Sequence, residues 1–412
     1  MKPLSLSSER HLTGTPKPRM LEKLARRGVL RQLAALETGH LVLVEGGTQH
    51  AFGDAGGTAV TLKVRDPSFW TDIAFGGSIG AGEAYMAGAW DCDDLVALVR
   101  LLLRNRHVLE GMESGAARLT APIQKLVHRL NRNSRDGARR NIAAHYDVGN
   151  DFFALWLDDT MMYSSAVFTR PDMSLGEAQL ERLALVCERL GLQKGDHLLE
   201  IGTGWGAMAM YAAQHHGCRV TTTTISAEQH ALATRRIAEA GLQDRVELLL
   251  SDYRDLEGQY DRLVSIEMIE AIGWRQYDTY FRQCRELLRP GGRGLIQAIT
   301  IAEGRYERAK HSVDFIQRYI FPGGALPSVS AMVGAIARQG DMEVTALHDI
   351  GLHYAETLRH WRLRFEAKLD EVRSLGYSDT FIRMWRYYLC YCEGAFRERA
   401  ISDVHLVMDR LP

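Results

Sequence analysis

From residue 197 onward the chain alternates short β-rich runs with helical stretches, and few architectures accept that order. HLLEIG (197–202), RVTTTTI (219–225), VELLL (246–250), RLVSIE (262–267) and GLIQAI (294–299) are separated by patterns such as AEQHALATRRIAEA and YDTYFRQCRELLR. Alternation of this kind implies βαβ crossovers and a parallel sheet covered by helices on both faces. The expected fold class is α/β, a doubly wound, Rossmann-like domain.

A chain of 412 residues exceeds what one hydrophobic core usually supports, so a second domain is expected ahead of this one. Residues 40–66 alternate strand-like HLVLVE and TAVTLKV with glycine-rich turns, which predicts a small antiparallel sheet, and DCDDLVALVRLLLRN continues as helix. The predicted organisation is a flexible lead-in over 1–18, a smaller N-terminal α+β domain over 19–118, a basic linker over 119–141 and the doubly wound domain over 142–412.

The net charge of -1 gives no global attraction to nucleic acid or anionic lipid, so any such attraction has to come from local asymmetry. Between residues 2 and 33 the basic Lys2, Arg10, Lys17, Arg19, Lys23, Arg26, Arg27 and Arg31 face only Glu9 and Glu22. Part of this arm, 19–33, has the spacing of an amphipathic helix, which either packs on its domain as a solvated helix or meets a lipid surface. The linker KLVHRLNRNSRDGARRN is basic too, and is either solvated surface or phosphate-facing. Six scattered cysteines form neither a C-x-x-C pair nor a zinc-spaced cluster, so free thiols and no metal site are expected. No stretch approaches eighteen uncharged apolar residues, so the chain is expected to be soluble or peripheral to a membrane.

The first predicted strand of the doubly wound domain runs into Gly202-Thr203-Gly204-Trp205-Gly206. Ligands of open α/β sheets bind outside the carboxyl ends of the strands, where glycine lets backbone approach closely. The spacing is G-x-G-x-G, without the lysine of a phosphate-binding loop, and follows an acidic Glu200. It matches an S-adenosylmethionine loop better than a dinucleotide or phosphate cradle, although a purely structural turn has the same appearance. Ser226 and Gln229 stand in capping-box register for the next helix. Asp252, at the end of the third strand, is placed either to accept from an adenine amine or to cap a short helix. The fourth strand delivers two carboxylates, Glu267 and Glu270, to the crevice edge; burying such groups is costly without a partner, which favours a functional reading for Glu270.

From residue 145 to the C-terminus the chain resembles the cyclopropane fatty acid synthase family, which includes the mycolic acid cyclopropane synthases and methyltransferases. The segments that carry the resemblance are HYDVGNDFF (145–153), MMYSSAVF (161–168), LEIGTGWG (199–206), TTISAEQ (223–229), SDYRDL (251–256), IEMIEAIG (266–273), YIFPGGALPS (319–328) and YYLCYCEGAFRER (387–399). GEAYMAGAWDCDDL (82–95) is similar to the lipid-binding domain that precedes the catalytic one in the phospholipid-acting branch. The resemblance implies an enzyme that transfers a one-carbon unit from S-adenosylmethionine to the double bond of an unsaturated phospholipid acyl chain, forming cyclopropane. A methyl-branched or methylene product is the enzymatic alternative, and an inactive lipid-binding protein is the alternative of a different class. It further implies a homodimer, no nucleic-acid partner, and a place in the cytoplasm against the inner face of the cell membrane.

By resemblance, Tyr163, Ser164, Gly202, Gly204, Thr224, Ile225 and Gln229 contact S-adenosylmethionine; Asp252 joins them as a cofactor candidate by its position at the strand end. A bicarbonate ion is implied at Ser165, Glu270, Gln297, Ile299 and Tyr354. Serine at 165 and glutamine at 297 depart from the family's cysteine and histidine, and Ala271 stands where many bacterial members have histidine; Gln297 resembles the plant-like branch. The chemistry explains the need for such a site. An alkene is a poor nucleophile that reacts with a sulfonium methyl only when aligned away from water, and the carbocation left behind must lose a proton to a nearby base. Glu270 and Tyr354 are expected to hold the bicarbonate that takes it, with Ser165 and Gln297 as neutral donors.

Overall fold

The computed structural model describes residues 20–114 and 148–412. The lead-in 1–18, the linker 119–141 and the start of the HYDVGNDFF segment lie outside them. The chain divides into two compact units, Met1–Thr120 and Ala121–Pro412.

In the first unit the helix Met20–Leu33 buries Ala25, Val29 and Leu33, one residue per turn on a single face. Its first turn leaves Met20, Leu21 and Leu24 81%, 54% and 56% exposed, with Lys23, Arg27 and Arg31 exposed on the same helix. Strands β1 (His40–Glu45), β2 (Thr48–Gly53), β3 (Ala59–Val64) and β4 (Trp90–Cys92) form a sheet in the order β2-β1-β3-β4. The two-residue turn Gly46-Gly47, both at positive φ, makes β1 and β2 an antiparallel hairpin. The following loop carries the chain across to the other edge of β1, so β3 runs parallel to β1. The sheet is therefore mixed and not antiparallel throughout, because a glycine-rich spacer long enough to cross leaves the direction of the next strand open. Glu45, at the end of β1, accepts from the Trp70 indole at 2.7 Å and from Arg26 at 2.6 Å, tying helix to sheet.

The second unit is built on a seven-stranded sheet. Strands β5 (His197–Ile201), β6 (Arg219–Thr224), β7 (Val246–Leu250), β8 (Tyr260–Ile266) and β9 (Leu288–Ile301) are mutually parallel, while β10 (Met342–Asp349) and β11 (Ile401–Arg410) join antiparallel, giving the order β10-β11-β9-β8-β5-β6-β7. Successive residues of a strand point to opposite faces. Leu199, Leu263 and Ile296 thus pack beneath Tyr280, Phe281 and Cys284 of the helix Tyr277–Leu287. Their neighbours Leu198, Val264 and Leu295 pack under Leu183, Val186 and Leu190 of the helix Leu175–Leu190 on the other side. That helix starts at a full capping box, Ser174 with Glu177, and stops at Gly191 in the left-handed conformation. Among the described residues no helix is long and apolar enough to cross a membrane.

Candidate active site

The first strand's carboxyl end is shaped by three glycines at positive φ: Gly202 (104°), Gly204 (53°) and Gly206 (89°). The amides of Gly202 and Thr203 both donate to the Thr223 carbonyl at 3.1 and 3.0 Å, which ties the turn to the end of β6. A Cβ at Gly202 would lie 3.5 Å from Met268, so the turn abuts the end of β8. Beneath it Glu200 is enclosed, accepting from Thr222 Oγ1 at 2.6 Å, and burial pushes its carboxyl up to about 8.

Past β6, Thr224 Oγ1 donates to Gln229 Oε1 at 2.9 Å and accepts from the Ser226 amide at 3.1 Å. Ser226 caps the helix Ala227–Glu239 through the Gln229 amide. The capping box is therefore only half made: the Gln229 side chain turns to Thr224, and Ile225 lies half-buried between them. After β7 the Asp252 carboxylate accepts from the Arg254 amide and, bidentate, from its guanidinium at 2.8 and 2.6 Å, so it acts as a cap.

The end of β8 carries the densest polar cluster. Glu267, at φ 47°, accepts at Oε1 from Ser164 Oγ (2.7 Å), the Ser165 amide (3.0 Å) and Gln297 Nε2 (2.9 Å), and at Oε2 from Tyr354 Oη (2.8 Å). Three residues on, Glu270 Oε1 accepts from the Ile299 amide at 2.5 Å. The Glu270 residue keeps some accessible surface, yet its Oε2 is enclosed and has no hydrogen-bond partner; it faces inward. Strand β11 pairs His405 with Gln297 and Asp403 with Ile299, adding a third carboxylate: Asp403 Oδ2 accepts from Gln297 Nε2 at 2.8 Å. Buried Arg182 is the cation facing this group; its Nη2 donates to Gln179 at 3.3 Å, and Nε and Nη1 have no partner.

Burial sets the electrostatics. It pushes the Glu270 carboxyl up to about 8, with the charge of Glu267 adding to the effect, and holds Asp403 well above the usual range. Burial raises Glu267 as well, but Ser164, the Ser165 amide and Tyr354 pull the other way. Arg182 is brought down to about 10 by burial, against the attraction of Glu267 and Asp403. His405 is held neutral by burial and by Arg189. Because Arg189 donates to His405 Nδ1 at 2.5 Å, Nε2 carries the ring proton and donates to Gln297 Oε1 at 3.1 Å. That bond fixes the amide so that its nitrogen faces the carboxylates.

An aromatic wall adjoins the cluster. Tyr163 lies 5.3 Å from Trp361 and 6.2 Å from Phe321, and its hydroxyl meets that of Tyr388 at 2.8 Å. Tyr354 packs on Trp361 and stacks on Phe396. Ring faces attract cations.

The structure thus brings Ser164, Ser165, Gln297 and Tyr354 together, but on Glu267, while Glu270 is joined to Ile299. Glu267 was visible in the sequence as the second carboxylate of the strand end. Asp403 and His405 belong to no recognisable motif; their i, i+2 spacing, polar residues on one face among the apolar residues of the strand, is the signal that marks them. Gln179 and Arg182, i, i+3 on a helix, offer a similar one. Among the described residues no His/Cys/Asp/Glu group suits a metal ion.

A mostly parallel sheet of this strand order, with a glycine turn after its first strand, is that of an S-adenosylmethionine-dependent methyltransferase. Gly202 and Gly204 leave the open, Cβ-free edge that close approach of such a ligand needs. Residues 133–406 match the family of mycolic acid cyclopropane synthetase, and the chain belongs to that family, whose members are S-adenosylmethionine-dependent cyclopropane and methyl transferases acting on lipid acyl chains. It is 41% identical to a tuberculostearic acid methyltransferase of Mycobacterium tuberculosis, over 84% of this chain and 82% of that one. It is 37% identical to the cyclopropane-fatty-acyl-phospholipid synthase of Escherichia coli, over 86% and 89%. The solved mycolic acid cyclopropane synthase CmaA1, complexed with SAH and CTAB, is 31% identical with a TM-score of 0.62, covering 66% of this chain and 98% of that one.

Proposed function

We propose that this enzyme transfers the methyl group of S-adenosylmethionine to the cis double bond of an unsaturated phospholipid acyl chain and closes a cyclopropane ring. The observation that carries the reading is the inward-facing cluster of Glu267, Glu270 and Tyr354 at the rim of the sheet, beside the glycine turn and an aromatic wall. S-adenosylmethionine supplies an electrophilic methyl on a cationic sulfur. The residues to hold it are Tyr163, Ser164, Gly202, Gly204, Thr224, Ile225 and Gln229; Asp252, engaged by Arg254, borders them.

The alkene's π pair forms the new carbon–carbon bond, and the carbon–sulfur pair leaves with sulfur. The acyl chain then carries a cation in a site that excludes water, where ring faces and carboxylates stabilise it. Loss of a proton from the new methyl closes the ring. The bicarbonate implied by resemblance finds its donors already engaged, and no step is assigned to it.

The first unit serves as a lipid-binding domain whose basic, apolar-tipped helix docks on anionic phospholipid at the inner face of the membrane. Its exposed Met20, Leu21 and Leu24 beside three exposed basic residues support this reading.

A second reading, a methyl-branched or methylene product from the same cofactor and lipid, is favoured by the identity to the tuberculostearic acid methyltransferase. Mass spectrometry and NMR of lipids from expressing cells test both: ring-proton signals sustain the cyclopropane product, whereas an unsaturated methyl branch without them establishes the second reading. No one-carbon gain on any acyl chain would refute both.

A further inference from the structure

The family's mechanism, as the resemblance implies it, relies on an exchangeable anion as base. In this chain the groups that would hold that anion are occupied by the protein itself. Tyr354 Oη, Gln297 Nε2 and the Ser165 amide all donate to the Glu267 carboxylate. Ser165 Oγ turns away and donates to the Ala166 carbonyl at 3.0 Å, and the Ile299 amide is taken by Glu270. A further anion would have to displace these bonds and then sit among Glu267, Glu270 and Asp403. Like charges in a water-poor interior repel strongly, and a lone buried anion without donors is costly. Bicarbonate does not fit this site.

The donors instead make an anion hole around a residue of the chain. Glu267 holds a left-handed backbone conformation, φ 47°, that is unfavourable for a non-glycine residue and here aims its carboxylate at four donors. Oε1 accepts three of them; Oε2 accepts only Tyr354 and keeps a lone pair. The chain Arg189–His405–Gln297 locks the amide so that it donates to Glu267. Asp403 Oδ1 and Glu270 Oε2 have no partner, so the donors gathered here converge chiefly on Glu267.

We propose that Glu267 is the base of this enzyme, a carboxylate built into the chain at the place the resemblance gives to bicarbonate. The inference rests on the methyl-transfer reading above. In the step it performs, a C–H bond of the newly attached methyl breaks and the proton passes to Glu267 Oε2. The C–H electron pair closes the ring bond and cancels the positive charge on the acyl chain; where a 1,2-hydride shift first moves the charge onto the methyl-bearing carbon, the same pair forms the methylene double bond. Glu267 returns its proton to solvent when the product leaves, so no external anion is consumed or required.

The test uses the full-length protein, S-adenosylmethionine and vesicles of dioleoyl phosphatidylglycerol in buffer freed of carbon dioxide, with and without added bicarbonate. Turnover of the wild type is expected to change by less than about 2-fold, too little for loss of a general base. Glu267→Gly suits the positive φ and empties the anion hole. It is expected to lose about 100-fold or more in turnover and to regain at least about 10-fold on addition of formate, with S-adenosylmethionine affinity by calorimetry unchanged. A purely structural role for Glu267 would not produce that rescue. Wild-type turnover that collapses without bicarbonate, or Glu267→Gly turnover equal to wild type in anion-free buffer, overturns the proposal. Should Glu267→Gly fail to fold, Glu267→Gln takes its place: lost turnover with retained cofactor affinity sustains the proposal, and retained turnover overturns it. If no lipid is turned over at all, the methyl-transfer reading fails, and NMR of isotopically labelled bicarbonate decides the anion question separately. Binding to the wild type counts against a filled hole; binding only to Glu267→Gly counts for it.

Discussion

Replacing Glu270 by glutamine keeps the side chain's shape and its Oε1 bond to the Ile299 amide, but removes its ability to ionise. The carboxyl's ordinary value of 4.5 rises to about 8 in the folded protein, through burial first and the charge of Glu267 second. Below pH 4.5 the group is protonated in both folded and unfolded chains and adds no penalty. As the pH climbs from 4.5 toward 8, the unfolded chain releases a proton that the folded one retains, so stability falls by about 1.4 kcal/mol per pH unit. Above 8 both forms are ionised and the loss is complete, about 5 kcal/mol in total. Glu270→Gln has no such slope at this site. Urea unfolding of the two proteins at equal ionic strength should therefore give similar stabilities near pH 5, with the variant ahead by a few kcal/mol at pH 9. Glu200, also pushed up to about 8, is common to both proteins and cancels in the difference. Parallel pH profiles for wild type and variant would refute the reasoning, because they would mean a Glu270 carboxylate in contact with bulk water.

The glycine turn and the N-terminal helix give two further predictions. Gly202→Ala forces a Cβ onto a residue at φ 104°, a cost of about 1–2 kcal/mol, and is expected to weaken S-adenosylmethionine about 10-fold by calorimetry; unchanged affinity would remove the turn from the cofactor site. Reversing Lys23, Arg27 and Arg31 to glutamate removes three basic contacts worth about 1 kcal/mol each at an anionic surface. Sedimentation with phosphatidylglycerol vesicles should show binding weakened by about 100-fold or more at low salt and little changed at high salt. Equal binding of wild type and variant at low salt would refute docking through this helix.

Local pattern carried the parallel strands, the glycine turn and the helices between them, because burial faces repeat at fixed short periods. Direction and pairing were another matter. Nothing in TAVTLKV reveals that β3 runs alongside β1, and nothing near residue 401 reveals that the last strand enters between β9 and β10. The site divides in the same way. Glu267 and Glu270 stand three residues apart at one strand end and look alike in sequence. A left-handed backbone at Glu267, which no local signal in a glutamate announces, aims that one at the donors.

Its donors come from across the chain. Tyr354 is 87 residues away, and the Asp403 and His405 that orient Gln297 lie 106 and 108 residues from it. By itself, then, the order of residues determined an α/β sheet, a glycine turn after its first strand and a pair of acids at its rim. Which acid receives the hydrogen bonds was decided only when β11 laid its polar face against β9. Hydrogen-bond partnership depends on distances between segments remote in sequence, and a periodicity of two or of 3.6 residues holds no record of them.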